Sequence, residues 1–270
     1  MHPIERLRYV ARSHGGDQRL LVRETAGALR GLGLDPAGLV VACRRIVERH
    51  PTSGPLWWLC SSVLAAPDPF SAAARLADSI EEDPTPEVLI DALPADATVT
   101  VLGWPDLAGE AVLRRGDITV LAVDIAGEGG SFVRRLERND VEAEVVDAAG
   151  LAGAVVASDL VLIEALAATP NEILAVQGSR AAASVGYCSE VPIWLVVGRG
   201  RCLPEIMFVA VIERAAAEAD APWRADAEPM PVALFSHIAR EGGVVDVGDA
   251  RGVLGPECPL ASELLRASPM

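Results

Sequence analysis

The sequence predicts an α/β protein: a helical N-terminal domain over residues 1–86, then a Rossmann-like, doubly wound, mainly parallel sheet domain over residues 87–270. Three observations predict it. From residue 4 to about 92 the apolar residues recur at helical spacing. From Ala97 the period shortens to brief β-branched runs that alternate with helices of roughly 8–12 residues, the order of a parallel sheet covered on both faces. Residues 158–198, SDLVLIEALAATPNEILAVQGSRAAASVGYCSEVPIWLVVG, read as strand, loop, helix and strand, the elements of a βαβ unit.

Along the helical part, residues 19–32 carry an apolar stripe at Leu20, Leu21, Ala26, Leu29 and Leu32 that stops at Gly33. Asp35-Pro36 starts a second helix with Leu39, Val40, Cys43, Ile46 and Val47 on one face. The turn-forming run at 50–55 ends it. A third helix is expected over 56–65, with Trp57 and Trp58 in its core, and a fourth over 71–82 capped by Ser71. The domain boundary falls near Pro84-Thr85-Pro86. Strands are then expected at 98–103, 118–124, 141–146, 159–163 and 191–197, with helices at 105–115, 131–138, 151–157 and 180–188 between them. Past Pro222 the expected elements are late strands at 232–235 and 244–247 and a terminal helix at 260–266. Right-handed crossovers make this a doubly wound sheet.

Composition narrows the function. The net charge is −15 and there is no lysine, so all 23 cations are arginine. An acidic chain of this kind lacks the clustered cations of a nucleic-acid surface, and without lysine there is neither a Schiff base nor a phosphate-binding P-loop. Five cysteines without a CxxC pair, no apolar leader and no unbroken apolar span point to a cytoplasmic protein outside the membrane. Four scattered histidines give no metal-ligand spacing, and no cofactor is implied.

In doubly wound sheets ligands sit at the carboxyl ends of the strands. The residues to inspect there are Gly103, Trp104, Pro105 and Asp106, then Asp124, Asp147, Glu164 to Asn171, and Gly198-Arg199-Gly200-Arg201. Asp124, Asp147 and Glu164 either converge for acid–base work or serve as helix caps and solvated acids, the commoner use. The amides of Gly178 and Ser179 open a helix and suit an anion. Gly127-Glu128-Gly129-Gly130-Ser131 lacks the dinucleotide register and reads as a flexible turn. Cys188, late in its helix, reads as a packed thiol.

These residues resemble one superfamily. It holds the α/β/δ regulatory subunits of translation initiation factor 2B, methylthioribose-1-phosphate isomerase and ribose-1,5-bisphosphate isomerase. His50-Pro51-Thr52 followed by Leu56 and Trp58 is similar to the family's R-P-T helix, with His50 for arginine. Residues 159–165 resemble the strand leading into G-A-D, Asn171 the asparagine of the N-G turn, and Gly178-Ser179 followed by Pro192 the G-T and next strand. Strand ends and a helix N-terminus converge on an expected ligand cleft lined by Gly103, Trp104, Asp124, Glu164, Asn171, Gly178 and Ser179, and the resemblance implies a homodimer through the second domain.

The departures bear on chemistry. Where the isomerases carry a catalytic cysteine this chain reads Leu102-Gly103-Trp104-Pro105, and Leu166 stands at the catalytic aspartate. The E-S-R-P phosphate turn appears as Asp124-Ile125-Ala126-Gly127, without arginine, and Val176-Gln177 falls near the N-K pair. The expectation is a non-catalytic relative that binds a regulatory protein or a small phosphorylated ligand. The alternative is an active sugar-phosphate or nucleotide isomerase rebuilt on Asp124, Glu164, Asn171 and the Arg199/Arg201 pair. A nucleotide-binding Rossmann enzyme outside this family is a third reading, weakened by the missing dinucleotide fingerprint.

Overall fold

The structure, a computed structural model, describes residues 17–33, 35–125 and 127–266. The helical region expected from residue 4 therefore lies partly outside the described residues, as does the Leu32 side chain. Helices α1 (Gln18–Leu32), α2 (Pro36–Arg49), α3 (Gly54–Ala65) and α4 (Pro69–Glu81) come first. Asp17, Asp35, Ser53 and Asp68 each accept the backbone N–H three residues on, satisfying a donor that the helix itself leaves free. Ser71, expected as the cap of the fourth helix, instead donates to Asp68. Pro69 has no N–H to leave unpaired, so the helix begins there, two residues earlier.

Then follow α5 (Thr85–Ala92), β1 (Thr98–Leu102), α6 (Leu107–Arg114), β2 (Thr119–Asp124), α7 (Gly129–Glu137) and β3 (Glu142–Asp147). After them come α8 (Leu151–Ala157), β4 (Leu160–Ala168), β5 (Glu172–Val176), α9 (Ser179–Cys188) and β6 (Ile193–Val196). The chain closes with α10 (Glu205–Ala217), β7 (Ala227–Pro231), β8 (His237–Arg240), β9 (Gly243–Asp246) and α11 (Ala250–Val253). Among the described residues no helix is long and apolar enough to cross a membrane.

The main sheet runs β3-β2-β1-β4-β6-β8-β9, parallel except for β9. Strand order reverses between β1 and β4, as a doubly wound sheet requires. Alternation along β4 shows how both faces are covered: Leu160 and Leu162 point to the layer of α5, α6 and α7, whereas Val161 and Ile163 point to α8 and α9. The expected fold class is borne out.

The stretch at 158–198 is a correction. Residues 164–171 are not a loop: β4 continues to Ala168, turns at Thr169-Pro170-Asn171, and returns as β5, antiparallel to it. Small alanines at 165, 167 and 168 let this hairpin lie between the sheet core and the helical bundle. β5 also pairs with β7, whose 3₁₀ continuation at Val232–Leu234 lies where a strand was expected over 232–235. The terminal helix expected at 260–266 is only a 3₁₀ turn, Ser262–Leu265.

The bundle of α1–α4 shares one core with α10, Ala167, Leu174 and Leu264. The sequence reading anticipated no helix at α10. Its first eight residues, EIMFVAVI, are apolar after the opening glutamate and show no polar face at helical spacing.

Candidate functional site

The strand-reversal crevice between β1 and β4 is filled from within. Glu164, midway along β4, reaches across to the start of α6, where its Oε2 accepts the amides of Leu107 (2.9 Å) and Ala108 (3.0 Å). Its Oε1 lies 2.7 Å from Nη2 of Arg201, and the same nitrogen lies 3.9 Å from Oδ2 of Asp106. Arg201 Nη1 donates to the Ala165 carbonyl. Arg201 is buried, which an arginine tolerates only when paired. Asp106 Oδ2 also accepts the Gln18 amide at 3.0 Å, tying in the start of α1. Burial, and then the negative charge of Glu164, push the Asp106 carboxyl up to about 7, against the pull of Arg201.

Of the other acids at strand ends, Asp124 is likewise engaged. Asp124 Oδ1 accepts the Gly129 amide at 3.2 Å, opening α7, so the glycine-rich run is a helix start. Asp147 is exposed at the end of the edge strand β3. Arg199 is clasped by Asp83 through its amide (2.8 Å) and by Glu241 through its guanidinium (2.6 Å). Gly200, at φ +75°, brings its backbone against the Trp58 ring, a position closed to a side chain.

The expected cleft residues fall into three places. Gly103, Trp104 and Asp124 sit together at the ends of the paired strands β1 and β2, where the Gly103 amide donates to the Val123 carbonyl at 2.9 Å. Trp104 leans on Phe132, with ring centroids 5.6 Å apart, and Arg135 covers it. Gly178, at φ +91°, packs against Ile125, Leu102 and Leu151 on the other face of the sheet. Glu164 belongs to the buried ionic cluster. Asn171 is not brought to the others: β4 runs about 13 Å beyond Glu164 before its turn, and the Asn171 carbonyl accepts the Val232 amide there. Leu166 packs against the helical bundle, away from Trp104, and its carbonyl abuts Gly54. Cys188, expected to be packed, is exposed because it ends α9 on the solvent side.

Beside Gly178 lies an open groove of about 480 Å³ lined by Ile125, Ala149, Leu151, Gln177, Ala181 and Val185. No charged side chain lines it among the described residues. Gln177 Oε1 and Ser179 Oγ are buried here without a hydrogen-bond partner. Among the described residues no group of His, Cys, Asp and Glu is arranged to hold a metal.

Sequence reasoning had named Glu164 and Arg201 but not their joint role, nor the part of Asp106. The partner amides lie 57 and 56 residues before Glu164, a separation that no local pattern reports.

A helical bundle on a parallel sheet with the β4–β5 hairpin between them defines a fold class, that of the initiation-factor-2B subunits. Solved structures carry this fold. One is translation initiation factor eIF-2B from Pyrococcus horikoshii, 16% identical, covering 90% of this chain and 96% of that one at a TM-score of 0.72. Another is the tetrameric eIF2B β2δ2 complex from Chaetomium thermophilum, 14% identical over 93% and 92% at 0.69. A third is the δ subunit of eIF-2B from A. fulgidus, 15% identical over 93% and 91% at 0.60. No protein-family model and no curated protein matches the chain.

Proposed function

We propose that this chain is a cytoplasmic, initiation-factor-2B-like subunit that has no isomerase activity and works through protein contacts, the first of them with a second copy of itself. The observation that carries the reading is the cluster of Glu164, Arg201 and Asp106 in the strand-reversal crevice. Substrate binding there would have to break a buried ion pair and two helix-capping bonds. With leucine and tryptophan at the expected acid–base and thiol positions, the family's route of ring opening and reclosure has neither group. We place the division of the chain at residues 1–86 and 87–270, which sets α1–α4 in the first part and leaves most of α5 with the sheet.

The contact face of the homodimer is the outer side of α8 and α9. Ala152, Val156, Ala181 and Tyr187 are exposed there and uncharged. Two copies of a chain with net charge −15 repel except where such a neutral face meets its mate. An obligate interface of this sort buries about 2,000 Å² or more. The related β2δ2 complex from C. thermophilum is an assembly of such subunits.

A second reading, a small phosphorylated ligand at Gly178 and Ser179, is favoured by the unpartnered Ser179 hydroxyl, which can donate, and the amides at the start of α9. The apolar, arginine-free groove supports no better than about micromolar to millimolar binding.

Two measurements test the proposal. Light scattering at micromolar concentration should give twice 28.3 kDa, falling to the monomer mass in Val156→Arg; a monomeric wild type overturns the self-association. Assays with methylthioribose 1-phosphate and ribose 1,5-bisphosphate should show no turnover. Rates of about 1 s⁻¹ or faster on either would overturn the non-catalytic reading.

A further inference from the structure

We propose that Asp106, Glu164 and Arg201 form a single-proton switch that couples solution pH to the seam between α1 and the sheet. The three side chains are only 19%, 8% and 3% exposed, so their charges must be balanced by one another. The balance is uneven. Glu164 has the short contact to Arg201 and two amides of α6. Asp106 has the long contact to the same guanidinium nitrogen and one amide, that of Gln18. Asp17, just before α1, adds negative charge near Asp106, while Arg19 on α1, paired with Glu110 of α6, adds positive charge that Asp106 also feels. Two carboxylates and one cation leave a buried negative charge that a proton removes.

The proton would act on more than one residue. Asp106 holds the amide of Gln18, whose side chain accepts the hydroxyl of Ser53 at 2.5 Å, and Ser53 caps α3. The starts of α6, α1 and α3 are thus joined through the group that titrates. Burial and Glu164 set the direction, pushing the Asp106 carboxyl up to about 7.

The sign follows. An unfolded aspartate titrates near ~3.9. Between that pH and about 7 only the folded state holds the proton, so unfolding releases it. The contribution is complete below the unfolded value and is lost as pH rises to the folded one. The folding equilibrium constant then falls about tenfold per pH unit and levels off above about pH 7. Glu257, also pushed up by burial, adds a slope of the same sign, so a comparison with a variant isolates Asp106.

The test is urea denaturation of the full chain from about pH 5 to 8.5, wild type against Asp106→Asn. The ratio of the two folding constants should fall by up to about tenfold per pH unit until about pH 7 and then stay constant. Superimposable pH profiles would overturn the switch. If the variant does not fold, carboxyl ¹³C NMR of the wild type decides. An Asp106 Cγ midpoint near 7 supports the proposal, and one below about 5 overturns it.

Discussion

Both carboxylate oxygens of Glu164 are committed to partners within the chain. Removing it would strand the guanidinium of Arg201, whose side chain is 3% exposed, and free two amides at the start of α6. Glu164→Ala is therefore expected to cost about 3–5 kcal/mol, the range for breaking a buried ion pair from one side. Urea-denaturation midpoints of variant and wild type measure it. A loss below about 1 kcal/mol would mean that the pair is solvated and the crevice open. Trp104 belongs to the same scale. Its ring packs on Phe132 and under Arg135, so its contribution is packing at the strand ends.

At the scale of elements, the β4–β5–β7 ribbon departs most from the sequence reading. β7 is its free edge. The Val232 amide donates to Asn171 and the Gln177 amide donates to Asp226, so the even-numbered residues of β7 face β5 and the odd ones face outward. Pro229 and Pro231 hold outward positions, where a residue without N–H cannot template another strand. The Pro229 carbonyl is taken by the Arg180 guanidinium. Replacing both prolines with threonine restores two outward donors at an edge that is apolar on one side. The double variant is expected to form species larger than the wild-type assembly, seen as early elution on size-exclusion chromatography. A profile identical to wild type would show that the prolines have no protective role.

For the whole molecule, the deciding fact is that the helical bundle has no core to itself: it shares one with α10 and the β4–β5 hairpin, while the two faces of the main sheet have clusters of their own. Met207, Phe208 and Val211 of α10 pack with Leu29, Trp57 and Leu59 of the bundle. A fragment beginning at residue 84 would expose that face of α10, a contiguous apolar patch of the kind that drives association. It is expected to bind a hydrophobic dye and to aggregate through that patch, although it retains every strand and both sheet-face clusters. A soluble fragment with dispersed amide resonances would show that the sheet layer is self-sufficient. The same sharing explains the buried cluster: Asp106 can be held by Gln18 only if α1 lies against the start of α6.

The sequence by itself determined the fold class, because periodicity is local: strands β1, β2, β3 and β6 and most of the helices show as runs of fixed apolar spacing. It also showed leucine and tryptophan at the positions where the resemblance expects a carboxyl and a thiol. Asp124 and Glu164 were legible only as acids with two possible uses. Which use prevailed was a tertiary decision, made when the free amides of α7 and α6 came within hydrogen-bond reach. The β4–β5 hairpin, α10 and the Asp106 cluster were not legible for the same reason. Alanine-rich strands and uniformly apolar helices carry no period, and a carboxylate shows no sign of the arginine 95 residues further on until the strand order reverses and brings the two together.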